Sequence, residues 1–155
     1  MNQQQDFGDI AKNIIDSNMY MVLGTADESG QPWASPVYFA SAGYKEFYWV
    51  SSPEVRHSRN IVIRPQVIIV IFNSQAPIGT GRGVYMSAIA EELTGANLER
   101  GIETYSRTSL GHGGHEWKQE DVQASAIYRL YRATTLEHWI LDPAGHPDHR
   151  TPVTI

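Results

Sequence analysis

Residues 67–72 read Val-Ile-Ile-Val-Ile-Phe, the longest unbroken apolar run in the chain. Such a run crosses a domain core as a strand. It is too short for a helix of ordinary length and far too short for a membrane span. The neighbouring segments read the same way: Tyr20–Ala26, Trp33–Ala40, Glu46–Val50, Gly83–Leu93, Val122–Tyr131 and Leu136–Leu141 carry strand-forming residues between turn signals. Asp27–Pro32 and Ser41–Lys45 are turns, and Pro36 marks its strand as an edge or a bulge. Strands joined by such short turns predict a mostly β fold, an antiparallel barrel or sandwich, over a parallel α/β sheet. Flanking helices are expected at Asp6–Ser17, where Phe7, Ile10, Ala11, Ile14 and Ile15 share a face, and at Asn97–Tyr105, capped by Asn97. No repeat or linker interrupts the 155 residues, so one domain over 1–155 is expected.

Function is most legible in Ser51–Ile61, read Ser-Ser-Pro-Glu-Val-Arg-His-Ser-Arg-Asn-Ile. Ser52 suits an N-cap and Pro53 a first helical residue, so a helix is expected to start there and to end before Pro65. Its early turns carry Arg56, His57 and Arg59. The positive end of a helix disfavours basic neighbours unless an anion sits among them. Free backbone N–H groups, a hydroxyl and an Arg together make a phosphate site. The plain alternative is a surface helix whose basic residues point into water.

Composition removes several function classes. Net charge is −5 with no basic block, which argues against a nucleic-acid or acidic-membrane partner. The absence of cysteine excludes disulfides, thiolate catalysis, zinc-thiolate sites and ordinary iron–sulfur ligation, and it suits a reducing cytoplasm. Asp6 and Asp9 stand where a signal sequence would be basic and then apolar, so a cytoplasmic location with no membrane partner is expected.

The succession GTADESGQPWASPVYFA, FYWVSSPEVRHSRNI, RPQVIIVIF and VYMSAIAEEL, over roughly residues 10–95, resembles the pyridoxamine 5′-phosphate oxidase-like family of FMN-binding split β-barrels. The resemblance implies a six-stranded antiparallel Greek-key split barrel with flanking helices. It also implies a homodimer with FMN in two clefts at the interface. By position, it assigns cofactor contacts to Ser35, Pro36 and Val37 of the second strand and to Val50 and Ser51 of the third. The family's phosphate clamp falls on Arg56 and His57, a flavin-bordering Trp on Trp139, and a following Arg on Arg150. The implied activity is an FMN-dependent oxidoreductase acting on a small or planar organic substrate. The alternatives are a reductase using the deazaflavin F420 and a flavin- or haem-binding protein without turnover.

Three positions depart from the family pattern. Its usual clamp Lys is His57 here, its Lys at the end of the second strand falls on Ala40, and its C-terminal substrate motif is only loosely matched by His146-Pro147-Asp148-His149-Arg150. Oxidation of pyridoxamine phosphate itself is therefore not expected.

Other patterns carry less. Gly79-Thr80-Gly81-Arg82-Gly83 leads into a strand instead of opening a helix, so it reads as a turn, with Arg82 a possible neighbour of the flavin. The pairs His112/His115 and His146/His149 have metal-compatible spacing but sit in loops without a fixed carboxylate set. A surface role, or a loop over the substrate side of the flavin for the first pair, is favoured over a metal. Tyr20, Tyr38, Tyr48, Trp49 and Tyr128 are strand aromatics suited to core or dimer contacts. No catalytic residue can be singled out by spacing.

Overall fold

The computed structural model describes residues 3–142 and 149–155. Its elements are α1 (Gln3–Asp16), β1 (Tyr20–Ala26), β2 (Pro32–Tyr38), β3 (Ala40–Ala42), β4 (Glu46–Ser51), α2 (Arg56–Ile63), β5 (Gln66–Phe72), β6 (Gly83–Glu92), α3 (Gly95–Gly111), β7 (Arg129–Asp142) and β8 (His149–Pro152), with one turn of 3-10 helix at Gln119–Val122. The strands lie in the order β2-β1-β5-β6-β7-β4-β3, all neighbours antiparallel, and β8 adds to β7.

Only Phe39 separates β2 from β3, and its N–H donates to the Met19 carbonyl at 3.1 Å. Because β2 bonds to β1 and β3 to β4, the chain itself joins the two ends of the sheet and curls it into a split barrel. The strand count is eight instead of the expected six. The extra two arise because the expected strand Trp33–Ala40 breaks at Phe39 and the tail contributes β8; the six strands that remain form the ring.

Alternation sorts each strand into an inner and an outer face. Met21, Leu23, Ile69, Ile71, Val84, Met86 and Ile140 are fully buried inside, together with Trp49, which stacks on Tyr131 at 5.6 Å. Each such aliphatic side chain contributes about 1.5–3 kcal/mol by leaving water. A one-residue register slip would turn this whole set outward. The six-residue apolar run is buried on one face only: Ile68 (42% exposed) and Phe72 (47%) stay open on the outside. Helix α1 closes the inner face with Phe7, Ala11 and Ile15, and α3 forms a second cluster with Tyr48, Leu93 and Leu130. The tail seats α1: Val153 is buried, and the Thr154 carbonyl lies 2.7 Å from where a side chain on Gly8 would begin.

Several expected boundaries move, among them the end of α3, which runs on from the expected Tyr105 to Gly111. Ser52 does not cap α2, because its hydroxyl is spent on the Glu54 N–H at 3.2 Å in a local turn. The helix therefore starts at Arg56 after an extended Val55, with no side-chain cap and no acidic residue in its first turn. Helix α3 begins after Thr94, and Asn97 lies inside it, accepting from Arg100 at 2.6 Å. The two last expected strands are one, β7, which absorbs Leu136 (65% exposed) as an extra residue where its pairing with β6 shifts. Its expected beginning at Val122 is instead the end of the 3-10 turn.

Candidate functional site

Helix α2 crosses from β4 to β5 at the split of the barrel and carries the three basic residues of the motif, each with a different fate. Arg59 turns back and donates from Nε (2.7 Å) and Nη2 to the Glu54 carbonyl, so it braces the preceding turn. His57 points inward and is 8% exposed. Its Nε2 is hydrogen-bonded to the Ser51 hydroxyl at 2.9 Å and its Nδ1 to the Ser35 hydroxyl at 3.2 Å. Arg56 points outward, over the ring of the half-exposed Trp33. It also lies 3.5 Å from the Asp27 carboxylate.

Three of the sequence-predicted residues thus form one hydrogen-bonded group, Ser35–His57–Ser51, which ties β2, α2 and β4 together across the split. Burial pushes the His57 imidazole below its ordinary 6.5, because the charged form loses its hydration there. Asp27 is fixed by the Ser29 hydroxyl at 2.7 Å and by the N–H groups of Ser29 and Gln31. Those bonds, led by the Ser29 hydroxyl, hold its carboxyl below the usual range. Arg64, just past the end of α2, donates to the carbonyls of Asp27 and Glu28, so the β1–β2 turn is fastened to both ends of the helix.

The remaining predicted residues lie elsewhere. Val50 adjoins Ser51 and is packed on the α3 cluster that includes Tyr105. Val37 is in the core, while Pro36 faces outward from the same strand. Ala40 is completely buried, and Arg82 lies over Phe7, away from the clamp.

Trp139 sits on the outer face of β7. With Ile68, Val70, Tyr85 and Arg150 it lines an open cleft of about 540 Å³, and the Arg150 guanidinium lies 4.1 Å from the Tyr85 ring centroid. One row of pairs runs from Trp139 through Tyr85, Val70 and Val22 to Pro36. At about 4.8 Å per strand, the four steps put roughly 19 Å of sheet between Trp139 and β2. Ser35 points to the opposite face of that strand. Within one chain, the Ser35–His57–Ser51 group and the Trp139 cleft therefore lie on opposite faces of the sheet.

His112 and His115 do not converge: the first is hydrogen-bonded to Tyr38, the second lies 3.9 Å from Asp121. His146 falls outside the described residues, and His149 starts β8. Among the described residues there is no group of three or more His, Asp or Glu side chains placed to hold a metal, and no helix is long and apolar enough to cross a membrane. Sequence reasoning missed Asp27 and Trp33 as partners of Arg56. Their only signal is the strand pairing that puts Trp33 opposite Thr25, beside the Asp27 turn.

The family model described as pyridoxamine 5′-phosphate oxidase matches residues 8–130. Among solved structures, a heme-binding protein from Mycobacterium smegmatis superposes with a TM-score of 0.72 at 18% identity, over 93% of this chain and 56% of its own. The chain thus spans little more than half of that protein. A heme storage protein from Vibrio cholerae gives 0.67 at 18% identity over 88% and 92%. An F420 reductase gives 0.60 at 15% identity over 82% and 94%. No curated protein matches the sequence.

Proposed function

The chain belongs to the pyridoxamine 5′-phosphate oxidase family, and from that premise we propose that it binds FMN between two copies of itself and uses it to oxidise or reduce a small organic substrate. The observation that carries this reading is His57 held between Ser35 and Ser51 at the uncapped start of α2. The donor set fits a phosphate. The His57 ring engages both Ser hydroxyls, and the hydroxyl that accepts from it keeps its own hydrogen free; that hydroxyl, the neighbouring guanidinium and the free helix N–H groups supply hydrogens, and phosphate oxygens only accept them.

Division of the site between two copies follows from the placement of Trp139. Its cleft and the clamp lie on opposite faces of the sheet, so a ligand meets both only when a second chain brings its outer face against the split of the first. That outer face is apolar, with Val22, Ile68, Val70, Phe72 and Tyr85 in or beside its clefts, as an isologous dimer requires. The flavin supplies two-electron chemistry; the chain supplies phosphate binding, an aromatic border and exclusion of water.

F420 also carries a phosphate on a flavin-like ring, and the name of one structural neighbour makes it the second reading. Haem, named for two others, is the third. Mass determination of the small molecule released on denaturation, together with sedimentation of the loaded protein, tests all of them. FMN in a dimer is expected. A deazaflavin mass or a haem Soret band overturns the FMN assignment, and tight FMN binding by a monomer overturns the two-copy site.

A further inference from the structure

Helix α2 meets the β1–β2 hairpin through a short polar chain. Asn60 donates from Nδ2 to the Thr25 hydroxyl at 3.0 Å, and that hydroxyl donates to the Trp33 carbonyl at 3.4 Å. Both side chains are buried, at 4% and 5% exposure. The other polar ties of the helix to the hairpin, from His57 to Ser35 and from Arg64 to the carbonyls of Asp27 and Glu28, are more open to water. Ile61, next to Asn60, belongs to the apolar core. An apolar pair would also fill this place, so packing alone does not account for a buried amide and a buried hydroxyl.

The chain connects the two supports of Arg56. Thr25 is paired with Trp33, so their side chains share a face of the hairpin, and Ser35, two residues on, shares it too. The Trp33 ring lies under the Arg56 guanidinium, and Ser35 is hydrogen-bonded to His57. On α2, Asn60 stands four residues after Arg56 and three after His57, one turn along the helix from both. Turning the helix by one residue, about 100°, would change which of them the barrel receives. Apolar contacts slide, whereas a hydrogen bond between two buried side chains holds at one distance and one angle. The Asn60–Thr25 bond therefore fixes the rotation of α2 where Trp33 is anchored.

We propose that Asn60 and Thr25 are positioning residues for the phosphate. They set the rotation of α2 that lays Arg56 on Trp33 and turns His57 to Ser35, so that both basic groups serve one anion. Neither meets the ligand itself. The inference rests on the flavin reading above and adds that buried residues specify the geometry of the clamp as well as its charge.

The test compares Thr25→Val, Asn60→Leu, the two combined, and Thr25→Ser. Each of the first two leaves one buried polar group without its partner and should lower the melting temperature. The combined variant replaces both partners by apolar groups of similar shape, so its melting temperature should recover. Its FMN affinity should not recover. It should stay about tenfold below the wild type, the low end for losing a hydrogen bond to a charged group, with riboflavin affinity unchanged. Thr25→Ser keeps the hydroxyl and should keep the FMN affinity. In the ligand-free protein, proton NMR of the Arg56 Nε–H should show a signal displaced by the indole ring current, and Thr25→Val should move it toward the position of a free arginine. That reading, taken below the melting temperature, stands even where the combined variant does not fold. An unmoved Arg56 signal overturns the proposal. So does a combined variant that binds FMN like the wild type, or equal losses of FMN and riboflavin, either of which would give the pair a role in the fold alone. Failure of the wild type to take up FMN shows separately and overturns the flavin reading, and the phosphate role with it.

Discussion

The Arg56 guanidinium lies over the indole of Trp33, 4.6 Å from its ring centroid. Its flat face is thus occupied while its edges stay open to water on one side and to Asp27 on the other. Planar donors held in this way lose little freedom when they engage an anion. Replacing Arg56 with alanine should weaken FMN by about 1.5–3 kcal/mol, the range for hydrogen bonds to charged groups. Riboflavin, which lacks the phosphate, should lose almost nothing. Parallel titrations of both ligands decide it; equal losses would mean that Arg56 acts through the fold.

Asp27 stands 3.5 Å from the same guanidinium and competes with any incoming anion. Its depressed carboxyl keeps it ionised throughout the neutral range. Asp27→Asn retains the turn-forming side-chain oxygen and removes the charge. FMN should then bind more tightly and associate faster at low salt, with riboflavin unaffected. Weaker FMN binding by the asparagine variant would show that Asp27 positions Arg56 instead of opposing the ligand.

His57 supplies a pH dependence whose sign is fixed by its burial. In the free protein its folded value is depressed below 6.5. Its contribution to stability is therefore complete above the unfolded value and lost as pH falls through the folded one. A phosphate dianion beside the ring reverses the shift, so the bound value rises above 6.5. Between the two values FMN binding takes up a proton, and affinity declines as pH rises through the bound value. Calorimetry in two buffers of unlike ionisation heat should register that proton for the wild type and none for His57→Gln. Identical buffer dependence in both proteins would place the proton elsewhere.

Ile68 lies on the outer face at 42% exposure, one of its methyls 2.4 Å from where a side chain on Gly24 would start. Ile68→Glu places a charge in the middle of the apolar face without disturbing the inner core. The expected result is a folded monomer with an unchanged melting profile and lost flavin affinity. A variant that sediments as a dimer would remove this face from the interface.

The barrel was legible because alternation and short turns are local. Val67–Phe72, Gly83–Leu93 and the Asp27–Pro32 turn appear within a residue or two of their expected places. The break at Phe39 and the merging of the last two strands were not, since both depend on which partner strand each segment meets. The candidate site was legible in part. Ser35, Ser51 and His57, which the resemblance assigns to one cofactor, are hydrogen-bonded together, yet nothing in the sequence separates the inward His57 from the outward Arg56. Consecutive helical residues diverge by about 100°, and only the position of the helix axis decides which one the barrel receives. Tyr38 and His112 lie 74 residues apart, and no local pattern signals such a meeting.

The contact between Gly8 and the Thr154 carbonyl brings two distant stretches of the chain side by side. Folding that depends on such a pairing pays a large loop-closure cost before the contact rewards it, so α1 should dock among the last elements.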